Sequence, residues 1–173
     1  MAVINADTTE KKIAFRWLYI VLPLALLFIS LVLTAVFYSQ LPTRVAYHFQ
    51  DDSPDRWLSR GAFVAWLIIP QFLFALLAFL IVRLVLLSAR YWPLDNTVIR
   101  RVLPVMGNMF GLPQVILTFA MLDIFLYNAY QIRLIPLWIF TLIIMVLGVV
   151  VLGVFFIQTS RQARHQRAKA RQE

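Results

Sequence analysis

The stretch from Ala62 to Leu87 is apolar except for Pro70, Gln71 and Arg83, and a run of that length has few places to fold. The hydrocarbon core of a bilayer is about 30 Å thick, and a helix rising about 1.5 Å per residue needs roughly 20 apolar residues to cross it. Three further windows meet that requirement: Trp17 to Tyr38, Val102 to Tyr127 and Leu134 to Gln158. With 62% hydrophobic and 14% charged residues among 173, the chain carries more apolar surface than a soluble domain of its size could bury. The expected fold class is therefore an all-α integral membrane protein. Its single membrane domain, 1–173, holds four transmembrane helices at about 17–38, 62–87, 102–127 and 134–158.

Lys11, Lys12 and Arg16 before the first window resemble the charged start of a secretory signal. The apolar run is longer than the usual ~7 to 15 residues of such a signal, and "LTAVFYSQ" after it offers no small-x-small cleavage pattern, so it reads as a retained span. Cysteine is absent, which removes disulfides and thiolate metal ligands.

The net charge of +8 is distributed by topology. Lys11, Lys12 and Arg16 precede span 1; Arg83, Arg90, Arg100 and Arg101 surround the connection between spans 2 and 3; Arg161, Arg164, Arg167, Lys169 and Arg171 follow span 4. The other side has Arg44, Arg56, Arg60 and Arg133. The positive-inside rule places both termini and the middle connection in the cytoplasm, with the loop 39–61 outside and a basic cytoplasmic tail at 159–173. That tail lacks the aromatic interleaving of a nucleic-acid surface and reads as an anchor on anionic lipid. Arg83 and Asp123 fall near span ends, from which each side chain is expected to reach its nearer interface. Alternatively, Asp123 pairs with Arg133 across the short turn.

In lipid, small residues and shared hydrogen bonds decide which helix faces meet. Gly107 and Gly111 form a G-x-x-x-G that Gln114 and Thr118 continue at helical spacing; Gln71, Ala75 and Ala78 offer a matching face on span 2, and Ser30 and Thr34 do so on span 1. Gln71 and Gln114 lie at similar mid-membrane depth, which allows a bond worth roughly 0.6 to 2 kcal/mol. The helix-packing residues are thus Gln71, Gly107, Gly111 and Gln114. A second use of Gln71, Asn108 and Gln114, as the lining of a polar path, would make the chain a small transporter or pathway-lining subunit.

The loop "RVAYHFQDDSPDRWLSR" alternates as helices do not: β-favouring residues, turn formers, then a second short run, which together predict a two-stranded ribbon. Its candidate binding residues are His48, Phe49, Asp51, Asp52, Asp55, Arg56 and Trp57, open to a partner, a peptide or lipid headgroups. The imidazole and carboxylates could in principle ligate a cation, but a ribbon throws neighbours to opposite faces, and no metal or cofactor is expected. No H-E-x-x-H, G-x-S-x-G or phosphate-binding glycine loop is present, so no enzyme and no catalytic residue is expected.

Leu41, Pro42, Arg44, His48, Phe49, Pro54, Asp55, Arg56, Trp57, Ser59, Arg60 and Pro70 together resemble the signature of the bacterial membrane-protein domain of unknown function 1648. The same domain opens the SdpI-type toxin-immunity and signalling proteins. The resemblance implies a multi-pass protein of the bacterial plasma (inner) membrane. The expectation is a non-enzymatic accessory or sensor protein, with a membrane-protein or peptide partner and no nucleic acid. SdpI-like immunity is the alternative.

Overall fold

The computed structural model describes residues 15–50, 53–88 and 96–169. Trp17–Ile20 form a 3-10 turn that leads into α1 (Val21–Phe37). Strands β1 (Arg44–Gln50) and β2 (Ser53–Ser59) follow, and α2 (Arg60–Ser88) starts directly from β2. Then come α3 (Asn96–Asn108), α4 (Gly111–Tyr130) and α5 (Leu137–Lys169). Four helical segments are long and apolar enough to cross a bilayer: Trp17–Phe37, Arg60–Ser88, Val102–Tyr130 and Leu137–Ile157. The antiparallel β-hairpin joins the first two.

The third apolar window is two helices, because of proline. Pro113 has no N–H to give the Met109 carbonyl, and Leu112 donates to it instead at 3.1 Å, a tighter i to i−3 bond that breaks the rod at Met109 and Phe110. Pro70 is accommodated inside a continuous α2. At the start of α1, Pro23 takes a first-turn position where a missing N–H costs little, but it leaves the Tyr19 carbonyl without its i+4 donor.

That carbonyl lies against Gly107. A Cβ built there would stand 2.0 Å from the Tyr19 oxygen and 2.9 Å from a Val82 methyl, and one built on Gly111 would stand 2.4 Å from Leu22. The glycine stripe thus lets α3 and α4 approach the start of α1, with Val82 of α2 closing the same contact. Two apolar clusters result. Tyr19, Ile20, Ala78, Val82, Ile99 and Leu103 pack at the terminus end of the bundle. Leu41, Val45, Phe63, Leu67, Met121, Ile124 and Phe125 pack at the hairpin end.

Side-chain amides stitch the bundle at two depths. Near the terminus end, Asn108 accepts the Leu22 N–H at 2.9 Å and donates to the Leu18 carbonyl at 3.2 Å. At the middle, Gln71 Nε2 donates to the Gln114 carbonyl (3.2 Å) and to Thr118 Oγ1 (2.9 Å). Gln114 Nε2 donates back to the Gln71 carbonyl (2.9 Å) and to that of Pro23 (3.3 Å). The Ser30 hydroxyl meets that of Thr118 at 3.2 Å. Both glutamines are fully buried and turn their Oε1 atoms where, among the described residues, no donor reaches them. Flipping Gln114 would face its oxygen to two carbonyl oxygens, and flipping Gln71 would face its oxygen to the Gln114 carbonyl, so one orphan acceptor on each is the lesser cost, about 1 to 3 kcal/mol apiece.

Asp123 departs from the sequence expectation. It is 9% exposed, and its Oδ1 accepts the Leu134 N–H at 2.8 Å instead of reaching for the interface. That bond folds the connection after α4 back onto the helix, helped by Gln131 in the left-handed conformation (φ 58°). A stacked Phe119–Phe140 pair, 3.8 Å between centroids, sets α5 against α4.

Candidate functional site

Three fastenings hold the hairpin to the ends of the helices. At its base, the Arg60 N–H donates to the Thr43 carbonyl. The Arg60 guanidinium reaches back to the Tyr38 and Leu41 carbonyls (3.2 and 3.4 Å) and lies 4.5 Å over the Tyr38 ring. Beneath, Leu41 and Val45 enter the apolar cluster of the hairpin end. At its side, Asn128 of α4 accepts the Ala46 N–H and donates to the Ala46 carbonyl, both at 2.9 Å. One side-chain amide thereby does what a neighbouring strand residue would do, and it satisfies part of the open edge of β1.

The remaining residues of the hairpin divide into those that close contacts and those that do not. Phe49 packs edge-on to Tyr127 at 4.6 Å, with the Arg133 guanidinium 4.1 Å over the Phe49 ring. His48 Nδ1 and Asp55 Oδ1 are 2.6 Å apart across the strands. The hydrogen bond from His48 holds the Asp55 carboxyl below the usual carboxylate range, with the charges of His48 and Arg56 adding to the effect. The register sets His48 opposite Arg56, so the His48–Asp55 bond runs to the residue beside its ladder partner, while Arg44 stands opposite Ser59.

The ladder slips between Ala46 and His48 and again between His48 and Phe49. Such irregularities bend a strand and re-aim its side chains, and here the Tyr47 ring lies 6.3 Å from that of Trp66 on α2. An open hollow of about 650 Å³ lies on this face, lined by Arg44, Tyr47, Asp55, Arg56, Trp57, Leu58 and Ser59. Arg44 and Arg56 are exposed, and neither guanidinium makes an ion pair or hydrogen bond to a described residue. Trp57 is 52% exposed.

Of the residues that sequence reasoning names, His48 and Asp55 are paired, Phe49 is folded onto α4, and Arg56 and Trp57 line the hollow. Asp51 and Asp52 lie outside the described residues. Gln71, Gly107, Gly111 and Gln114 sit far from the hollow, inside the bundle. Sequence reasoning did not single out Asn128. Asn128 had one available signal: an amide in "YNAY", beside aromatic residues at a span's end, is placed to bond backbone outside the helix. A second cleft, about 400 Å³ and lined by Phe74, Ile81, Met106, Met109, Phe110 and Pro113, adjoins the break between α3 and α4 and is almost wholly apolar. It offers nothing to orient a polar ligand.

No curated protein and no solved structure matches the chain. Residues 25–70 match the family model described as a domain of unknown function, DUF1648, and they run from early α1 through the hairpin to Pro70 of α2. Four apolar spans and that match together make this a multi-span membrane protein carrying a DUF1648 domain.

Proposed function

We propose that the protein is a non-enzymatic accessory or sensor protein of the membrane, and that the hairpin is its contact surface for a partner, a peptide or lipid headgroups. In this reading both termini are cytoplasmic and the hairpin stands on the outer face. The distribution of Lys and Arg along the chain supports that orientation. The observation that carries the contact role is the division of labour within the hairpin. Arg60, Val45 and Asn128 are consumed in fixing it, whereas Arg44, Arg56 and Trp57 stand exposed on a backbone fixed by strand pairing, and no side-chain hydrogen bond or ion pair to another described residue holds them. A preorganised exposed group loses less freedom on binding than a mobile one.

The chain has no native cysteine, so single-cysteine labelling tests the orientation directly. Trp57→Cys should react with a membrane-impermeant maleimide on intact cells, and Glu173→Cys only after permeabilisation. The opposite pattern would overturn the reading. A photo-crosslinking amino acid in place of Trp57 should then yield a discrete adduct, and the absence of any adduct would remove the contact role.

A further inference from the structure

We propose that the hollow on the hairpin holds the phosphate of a monoanionic membrane phospholipid, gripped by Arg44 and Arg56. This rests on the hairpin's role as a contact surface and names the chemistry of what it contacts.

Charge is the first argument. Arg60 is engaged on carbonyls and Tyr38, Arg133 on Phe49, and Arg83 on Phe15 and Phe79. Arg44 and Arg56 instead bring two guanidiniums to one hollow. A third charged group, the Asp55 carboxylate, also lines it, but Oδ1 of that group is taken by His48. Two guanidiniums against one carboxylate that is already engaged by His48 leave the hollow basic, which suits the anionic phosphodiester of a phospholipid. The guanidinium fork matches phosphate oxygens in geometry as well as charge, and the exposed Ser59 can donate a further hydrogen bond.

Position is the second argument, and it selects a lipid over a free anion. Arg44 pairs with Ser59, the residue immediately before α2, so the hollow starts at the level where the apolar helix ends. That is the depth of headgroup phosphates, and Tyr47 and Trp57 are residue types that favour it. The hollow is also continuous with lipid-facing surface. Tyr47 touches Trp66, which is 60% exposed, and Ile69 and Leu73 follow at helical spacing on the same face of α2, 57% and 49% exposed. A phosphate in the hollow would thus have its acyl chains laid along Trp66, Ile69 and Leu73.

The test is native mass spectrometry of the full chain released from detergent containing equimolar phosphatidylglycerol and phosphatidylcholine. The wild type should retain one tightly held phosphatidylglycerol. In Arg44→Gln/Arg56→Gln the retained ratio of the two lipids should fall at least about fivefold, since each basic residue near anionic lipid contributes about that factor. Arg44→Lys/Arg56→Lys, which keeps charge but loses the fork, should fall less. Arg164→Gln/Arg167→Gln, which removes the same charge from the far end of α5, should leave the tightly held lipid in place.

An unchanged ratio in both hairpin variants would overturn the proposal, and so would an equal loss in the tail variant. Displacement of the lipid by millimolar inorganic phosphate would show a free-anion site and overturn the commitment to lipid. The lipid ratio does not depend on which side the hairpin faces. A negative result here with Trp57→Cys labelled from outside would therefore remove the lipid and leave the contact surface.

Discussion

Gly107→Ala isolates the tightest of the glycine contacts. The new methyl would stand 2.0 Å from the Tyr19 carbonyl oxygen, which is backbone and cannot rotate away, and 2.9 Å from a Val82 methyl. Ordinary contact needs at least 3.4 Å, so the 3-10 turn must retreat by about 1.4 Å, well beyond what a side-chain adjustment absorbs. Overpacking of this kind costs about 1 to 3 kcal/mol, and a backbone clash belongs at the upper end. The retreat would also stretch the Asn108 bonds to Leu22 and Leu18, now 2.9 and 3.2 Å, each worth about 0.6 kcal/mol in a membrane. Against this, alanine is the better helix former by about 1 kcal/mol.

The net expectation is a loss of about 3 kcal/mol, read by equilibrium unfolding in mixed detergent micelles. Gly153→Ala is the matched control, because a Cβ there meets nothing within 4 Å and only the helix-propensity gain remains. A Gly107→Ala variant within 0.5 kcal/mol of the wild type, a margin about a sixth of the expected loss, would show that the turn is not fixed as described and refute the reasoning.

Two further outcomes follow from the hairpin. Asn128→Ala removes both bonds to Ala46 and should cost about 1 to 3 kcal/mol; hydrogen exchange should show the Ala46 amide losing its protection, and retained protection would mean that another group holds that edge. Asp55 has a folded-state pKa lowered from 3.8 by the His48 bond, so any stability from this pair is fully present above the ordinary carboxylate range and is lost as pH falls through the lower folded value. Carboxyl NMR should find Asp55 titrating below that range in the wild type and back within it in His48→Ala; identical midpoints would exclude the bond as cause.

The four spans were legible because lipid imposes a single strong requirement, length of apolar sequence, which hydropathy measures directly. The hairpin was legible from residue type: Val45, Tyr47 and Phe49 are β-favouring residues followed by the turn formers of "DDSP". The break at Met109 and Phe110 was not, since hydropathy runs smoothly across it and the cause is one missing N–H on Pro113. Asp123 shows the same blindness. Its position along the helix suggests an interface, but the Leu134 amide that it accepts becomes a neighbour only after the chain reverses. In the candidate site, Arg56 and Trp57 stand out as residue types. That Arg44, Tyr47 and Ser59 join them depends on strand register and on two ladder irregularities, and residue spacing carries neither.

The polar links among the helices described here run between α1, α2 and the α3–α4 pair, and α5 is set against α4 by an aromatic stack and by the turn that Asp123 draws in. Over Leu137–Ile157 most of the α5 circumference, including Trp138, Met145, Val149 and Phe156, is left to whatever solvates it. An annular lipid or an adjoining span can therefore exchange along that side without disturbing the amide stitching, and what happens at the last helix reaches the hairpin through the short connection that lays Arg133 on Phe49.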